Sequence, residues 1–202
     1  MSLLNTRVET LRLWLSRNTN KVAAKSIGHL LGNLAPIQPP PEDSQDELQE
    51  VIHQYHNNFS EKFMALDLDE RFEELFDEVL MMDDHDSSLV YIKDLSQEIV
   101  PIVKALKSFF QRPRPSEYAS SLNLKWSGDD HAMKTVDSPS YPSGHTAQAY
   151  YIAHRLSEIH PNLSKKLFGL AELVAQSRID RGVHYPSDVE AGIELAKRLS
   201  LG

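Results

Sequence analysis

SLVYIKDLSQEIVPIVKALKSFFQ, residues 88–111, is the longest run of this chain that keeps one periodicity. Leu89, Ile92, Leu95, Ile99, Ile102, Val103 and Leu106 recur at steps of three and four, which lays them along one face of a helix. Pro101 predicts a kink within that helix. The same period extends outward in both directions. Phe72, Leu75, Phe76 and Val79 share a face between Leu68 and Leu80, and further helices are predicted at about 144–159, 162–180 and 186–199. Asp43 or Ser44 can cap a helix that contains Glu47 and Leu48. No segment alternates with the two-residue period of a strand, so the chain reads as an all-α, single-domain helical bundle. Residues 115–142, rich in Ser, Asp and Pro, read as a loop.

The amino-terminal part reads separately. A helix is expected over roughly residues 4–17 and a second, short one near 21–32. Pro36, Pro39, Pro40 and Pro41 follow as a stiff connector. Thirty-five residues are too few for an independent core. The expected organisation is therefore a helical extension, 1–35, on a domain of residues 36–202. Arg7, Arg12 and Arg17 interrupt every apolar run in that extension, so no secretory leader is evident and a cytoplasmic rather than exported protein is expected. A transit peptide, a membrane-surface helix, or a helix packed on its own domain or on a neighbouring subunit of a homo-oligomer all fit its pattern.

Composition narrows the function classes. The chain has 202 residues and a net charge of -8, with 41% apolar and 25% charged residues, ordinary values for a soluble globular protein. No apolar run reaches transmembrane length. There are no cysteines, which excludes disulfides and Cys-based zinc sites. Residues 42–86 hold sixteen Asp/Glu against two Lys/Arg, a local balance of -14, so the remainder carries +6. That acidic stretch reads as a solvated helical face. A sequence pI of about 5.6 argues against a nucleic-acid polymer as partner.

Chemistry concentrates where helices are expected to end. Lys107 closes the long helix and Arg114-Pro115 follows after six residues; Arg112 is a near neighbour outside that spacing. Arg binds phosphate oxygens through a planar fork and Lys acts as a point charge. Pro142-Ser143-Gly144-His145 opens a helix, and helix N-termini present free, positively polarised N–H groups to anions. Gly144 permits close approach of an anion, and the Ser143 hydroxyl adds a donor. The tetrapeptide alone reads equally well as a plain Ser N-cap. Ser177-Arg178 then precedes His184 and, four residues on, Asp188. A carboxylate there can hold one imidazole nitrogen and leave the other free to attack; it can equally be a first-turn helix acid. Arg181 can join the site or pair with Asp180.

Together these blocks, Lys-x6-Arg-Pro, Pro-Ser-Gly-His and Ser-Arg-x5-His-x3-Asp, resemble the phosphatidic-acid phosphatase type 2 superfamily, which includes the vanadium haloperoxidases. The likeness is strongest to the soluble class A bacterial acid phosphatases and spans about residues 36–195. It takes in Pro39-Pro40-Pro41, Phe109 to Pro115, Tyr141 to Thr146 and Val183 to Val189. The resemblance implies an all-α fold of the phosphatidic-acid phosphatase / vanadium haloperoxidase type. It implies His184 as nucleophile, Asp188 as its orienting carboxylate and His145 as general acid and then base. Lys107, Arg114, Ser143, Gly144 and Arg178 would hold the phosphate. It implies no cofactor and no metal, since the cations are built in, although phosphate or vanadate can occupy the site.

The expected function is thus a metal-independent phosphomonoesterase, acting through phosphohistidine on a small soluble phosphorylated substrate. A vanadate-dependent haloperoxidase shares the anion pocket. A lipid or diphosphate phosphatase would have to dock on a membrane surface through the N-terminal helix. Asp83-Asp84-His85-Asp86 reads as a polar turn, because it lacks calcium-loop spacing. His53 and His56 read as helix-surface residues, and His131, His154 and His160 have no partner legible in the sequence.

Overall fold

The computed structural model describes residues 39–57, 68–126 and 138–201. The expected N-terminal extension, residues 1–35, lies outside the described residues, as does His131. The helices are α1 (Gln45–Asn57), α2 (Phe72–Met81), α3 (Leu89–Glu98), α4 (Val100–Phe110), α5 (Pro115–Ser121), α6 (Gly144–Ile159), α7 (Ser164–Asp180) and α8 (Pro186–Ser200), with a 3-10 turn at Pro161–Leu163. The fold is all-α, and no strand occurs among the described residues. Nor is any helix there long and apolar enough to cross a membrane.

α6 is the central element. Its faces pack on α7, α8 and α3, and α2 covers α3. The reason is in its composition: Ala147, Ala149, Ile152, Ala153 and Leu156 are buried, and the small residues let neighbouring helices close in. Phe72, Phe76, Leu80, Ile92, Leu95, Ile99, Leu106, Leu167 and Leu195 fill the main core around it. Each such side chain contributes about 1.5–3 kcal/mol by leaving water. A second cluster joins Leu48 and Val51 of α1 to Ala175, Ile179, Tyr185 and Val189. It fastens the acidic helix over the α7–α8 junction.

Three expectations need correction. The run 88–111 is two helices, not one kinked helix. Pro101 has no N–H to donate back along the helix, so α3 stops at Glu98 and Pro101 sits in the first turn of α4. The expected loop 115–142 opens with a helix, α5. Pro115 begins it, and Glu117 Oε2 accepts the Arg114 N–H at 2.7 Å, an N-terminal device legible in hindsight. The remaining loop is described only at its ends. Finally, the acidic stretch is not uniformly solvated: Asp69 and Asp77 are buried and Glu47 is half-buried. Asp77 caps α3 by accepting the Ser88 N–H at 2.6 Å and the Ser87 hydroxyl at 2.7 Å.

The polar turn at Asp83 is tied down rather than open: Asp83 accepts from Lys166 Nζ at 3.0 Å, and the rings of His85 and His160 lie 4.3 Å apart. His53 and His56 are exposed on α1. His154 meets the Phe168 ring edge-on at 4.8 Å.

Candidate active site

α4 delivers the first cation. Lys107 lies in its last turn, and Gln111, in the left-handed region at φ 50°, ends the helix by donating its N–H to the Lys107 carbonyl at 2.9 Å. The Lys107 ammonium is buried and donates to the carbonyls of Pro139 and Ser140, the latter at 3.3 Å. Burial, with the cations of Arg114 and Arg178 acting against Asp188, pushes its pKa down to about 7. Arg114 precedes α5. Its Nε donates to the Ser138 carbonyl at 2.9 Å and its Nη1 to the Val183 carbonyl at 2.7 Å; the same Nη1 is 3.1 Å from His184 Nε2.

The turn between α7 and α8 sets His184. The Arg178 carbonyl accepts the N–H groups of Val183 at 3.1 Å and His184 at 3.2 Å. Gly182 takes φ 68°, and a Cβ there would sit 2.7 Å from the Trp126 ring, so this tight reversal requires glycine. Pro186 then opens α8. His184 is 2% exposed. Its Nδ1 lies 3.1 Å from Asp188 Oδ2, and that oxygen also accepts the Tyr185 N–H at 3.0 Å and the Ser140 hydroxyl. The two readings of Asp188 are therefore one contact: a single oxygen caps the helix and orients the imidazole. A carboxylate only accepts, so Nδ1 carries the hydrogen and Nε2 keeps its lone pair. Burial and the cations Arg114, Lys107 and Arg178 hold the His184 pKa well below its ordinary value, so the ring is neutral.

α6 contributes the third block. Ser143 is its N-cap and donates its N–H to the Asp188 carbonyl at 2.9 Å. Close packing of α8 allows this: a Cβ on Gly192 would fall 2.8 Å from the Ser143 carbonyl oxygen. The Ser143 hydroxyl, expected as an anion donor, is fully buried and paired with Thr146 Oγ1 at 2.8 Å. His145 Nε2 lies 3.3 Å from Asp69 Oδ1, and its ring meets Phe72 edge-on at 5.5 Å. Burial and the Arg178 cation, offset in part by Asp69, push the His145 pKa down to about 3.

The three blocks meet at one cavity of about 170 Å³. Lys107, Arg114, Gly144, His145, Arg178 and His184 line it, and Val100, Val103, Lys104 and Gln148 extend the wall. Asp188 and Ser143 stand behind that surface, fully buried. Among the described residues that line it there is no carboxylate. Such a cavity suits a tetrahedral oxyanion facing a neutral imidazole nitrogen.

Sequence reasoning missed three supporting residues. Asp69 accepts from Arg178 Nη1 at 2.6 Å and also faces His145. Arg112 donates to Asp188 Oδ1 at 2.6 Å, and Glu47 accepts from Arg112 Nη2 at 2.6 Å. A signal existed for the carboxylates. Asp69 stands three residues before Phe72 and seven before Phe76; Glu47 stands four before Val51 and eight before Tyr55. Glu47 thus occupies the half-buried face of α1, while Asp69 stands just ahead of α2, beyond the break at Arg71.

Comparison with known proteins identifies the family. The family model described as "PAP2 superfamily" matches residues 95–200. The "Non-specific acid phosphatase" of Providencia stuartii is 34% identical over 88 residues, covering 44% of this chain and 34% of that protein. Its counterpart in Salmonella typhimurium is 34% identical over 86 residues, covering 43% and 33%. The chain thus spans about a third of the length of these relatives. A solved structure, the transmembrane PAP2 type phosphatidylglycerolphosphate phosphatase from Bacillus subtilis, aligns over 98% of this chain and 90% of its own, with 21% identity and a TM-score of 0.42.

Proposed function

The chain belongs to the PAP2 superfamily, and from that premise we propose that it is a metal-independent phosphomonoesterase working through phosphohistidine on a small soluble phosphate ester. One observation carries the reading: His184, held through Nδ1 by Asp188 and with Arg114 Nη1 at 3.1 Å from its Nε2, lines one cavity together with Lys107, Arg114 and Arg178. The acid phosphatase relatives favour ester hydrolysis over halide oxidation in that same pocket.

In this scheme the Nε2 lone pair attacks phosphorus as the bond to the leaving oxygen breaks. His145 gives that oxygen its proton, then takes one from the water that attacks the phosphohistidine and frees phosphate. Lys107, Arg114, Arg178 and the Gly144 N–H hold the equatorial oxygens while charge redistributes. Ser143 joins them if its hydroxyl turns away from Thr146. The fixed cations neutralise the charge that a divalent ion would otherwise meet.

His145 must be protonated to act, although burial and then the Arg178 and Arg114 cations hold its pKa down. A bound dianion offsets those cations and raises the pKa of both histidines. An ester that enters as the monoanion brings the proton with it, since its second ionisation lies near pH 6.

Vanadate tests the scheme, because it resembles the trigonal-bipyramidal state of phosphoryl transfer. It should compete with substrate, and EDTA should leave hydrolysis intact. A preparation that oxidises halide efficiently when loaded with vanadate but barely hydrolyses esters would establish the haloperoxidase reading instead. Loss of hydrolysis on chelation, restored by a divalent metal, would overturn the metal-independent mechanism.

A further inference from the structure

We propose that Arg112 is a positioning residue for the nucleophile: its guanidinium fixes the Asp188 carboxylate and, through it, the plane and tautomer of His184. The inference rests on the reading of His184 as nucleophile. Arg112 does not line the cavity, so it has no route to substrate except through Asp188.

The geometry is a fork with two loaded prongs. Nη1 donates to Asp188 Oδ1 at 2.6 Å and to Ser187 Oγ at 2.8 Å. Nη2 donates to Glu47 Oε2 at 2.6 Å and to Ser44 Oγ at 2.8 Å. The guanidinium carbon lies 3.9 Å from the centre of the Tyr185 ring, which fixes the plane of the fork. Glu47 is anchored in turn by the Ser187 N–H at 2.8 Å and the Ser187 hydroxyl at 2.9 Å. Arg112, Glu47, Ser187 and Asp188 thus form one buried network in which α1 reaches the root of α8.

This network decides which carboxylate oxygen meets the imidazole. Oδ2 is shared among His184, Ser140 and the Tyr185 N–H, while Oδ1 is held by Arg112. Without Arg112, turning the carboxylate exchanges the two oxygens and loosens the His184 ring. Lys cannot replace it, because an ammonium has no planar fork to span Asp188 and Glu47 together.

A plain staple between α1 and α8 would lower the melting temperature and nothing else, so the test combines kinetics with histidine spectroscopy. Arg112→Lys is compared with wild type and with Val51→Ala, which loosens the apolar seat of α1 on α7 and α8 and removes no member of the network. For Arg112→Lys the expected result is a kcat loss of about tenfold to a hundredfold, the scale of a misplaced reacting group. Inhibition by inorganic phosphate should stay within about twofold, and ¹H–¹⁵N spectra should show His184 losing its single Nδ1–H tautomer. Val51→Ala should melt earlier with kcat nearly unchanged. If Arg112→Lys does not fold, Arg112→Gln, which keeps a planar donor without the buried charge, is read in its place against the same criteria. A folded variant with wild-type kcat and an intact tautomer overturns the proposal. So does a kcat loss matched by Val51→Ala in proportion to melting temperature. If wild type hydrolyses no phosphate ester, the functional reading fails, while the tautomer, which needs no turnover, still decides on Arg112.

Discussion

The carboxylate of Asp69 lies 2.6 Å from Arg178 Nη1 and, through the same oxygen, 3.3 Å from His145 Nε2. One buried carboxylate from the acidic segment therefore faces both a phosphate-binding cation and the candidate general acid. Its charge favours the protonated form of His145, against Arg178. Asp69→Asn removes the charge and keeps an acceptor. It should cut kcat about tenfold or more on alkyl phosphates, which most need a proton on the leaving oxygen, and much less on aryl phosphates. It should also cost about 3 kcal/mol in a denaturant melt, because Arg178 is left as an unpaired buried charge. Equal loss on both ester classes would count against this role.

His184→Ala should abolish turnover while inorganic phosphate still binds. The covalent route is gone, but Lys107, Arg114 and Arg178 remain on the cavity wall. Calorimetric titration with phosphate checks it. Loss of binding in a folded variant would mean that the ring holds the anion rather than attacks it.

Phosphate affinity should weaken as pH rises above 7. Burial and the neighbouring Arg114 cation push the Lys107 pKa down to about 7, and a bound anion raises it. Binding above pH 7 therefore takes up a proton, and each pH unit costs up to about tenfold in affinity until the bound form also titrates. Substrate loses its own proton near pH 6, so turnover should be fastest on the acid side of neutrality. Lys107→Arg, charged throughout, should flatten the affinity profile above pH 7. A wild-type profile that is flat from pH 7 to 9 would contradict the linkage.

Gly192→Ala should damage the site from behind. The new Cβ would lie 2.8 Å from the Ser143 carbonyl oxygen and 3.1 Å from Thr146 Cβ, so α8 must back away from the α6 N-terminus. A loss of about 1–3 kcal/mol is expected, with weaker phosphate binding. Gly169→Ala, with nothing within 4 Å, should instead stabilise α7 by up to about 1 kcal/mol. Thermal melts of the two variants give the comparison.

The sequence was most legible where one short segment carries a whole function. The stripe through Ile92, Leu95, Ile99 and Leu106 announced the core, and the three blocks announced the cavity wall. Supporting residues were hidden because their partners are remote: Asp69 and Arg178 are 109 positions apart, Glu47 and Ser187 140. Nothing in local spacing reports such a meeting; for Glu47 only its place on the inward face of α1 hints at it. Arg112 was masked by Arg114, which alone satisfies the six-residue gap. The split at Ile99 leaves no trace in the periodicity, because an apolar stripe continues across a break whenever both helices face the same core.

The central claim is a covalent bond between phosphorus and His184 Nε2, and rapid quenching tests it most directly. Enzyme mixed with ³²P-labelled aryl phosphate is stopped in alkali, where phosphohistidine survives, and the labelled residue is mapped. The prediction is label on His184, bonded at Nε2 because Nδ1 faces Asp188. It should be absent from His184→Ala and accumulate in His145→Ala, where the base for the second step is missing. Steady hydrolysis with no label on His184 at any quench time, or label at another residue, would contradict the account.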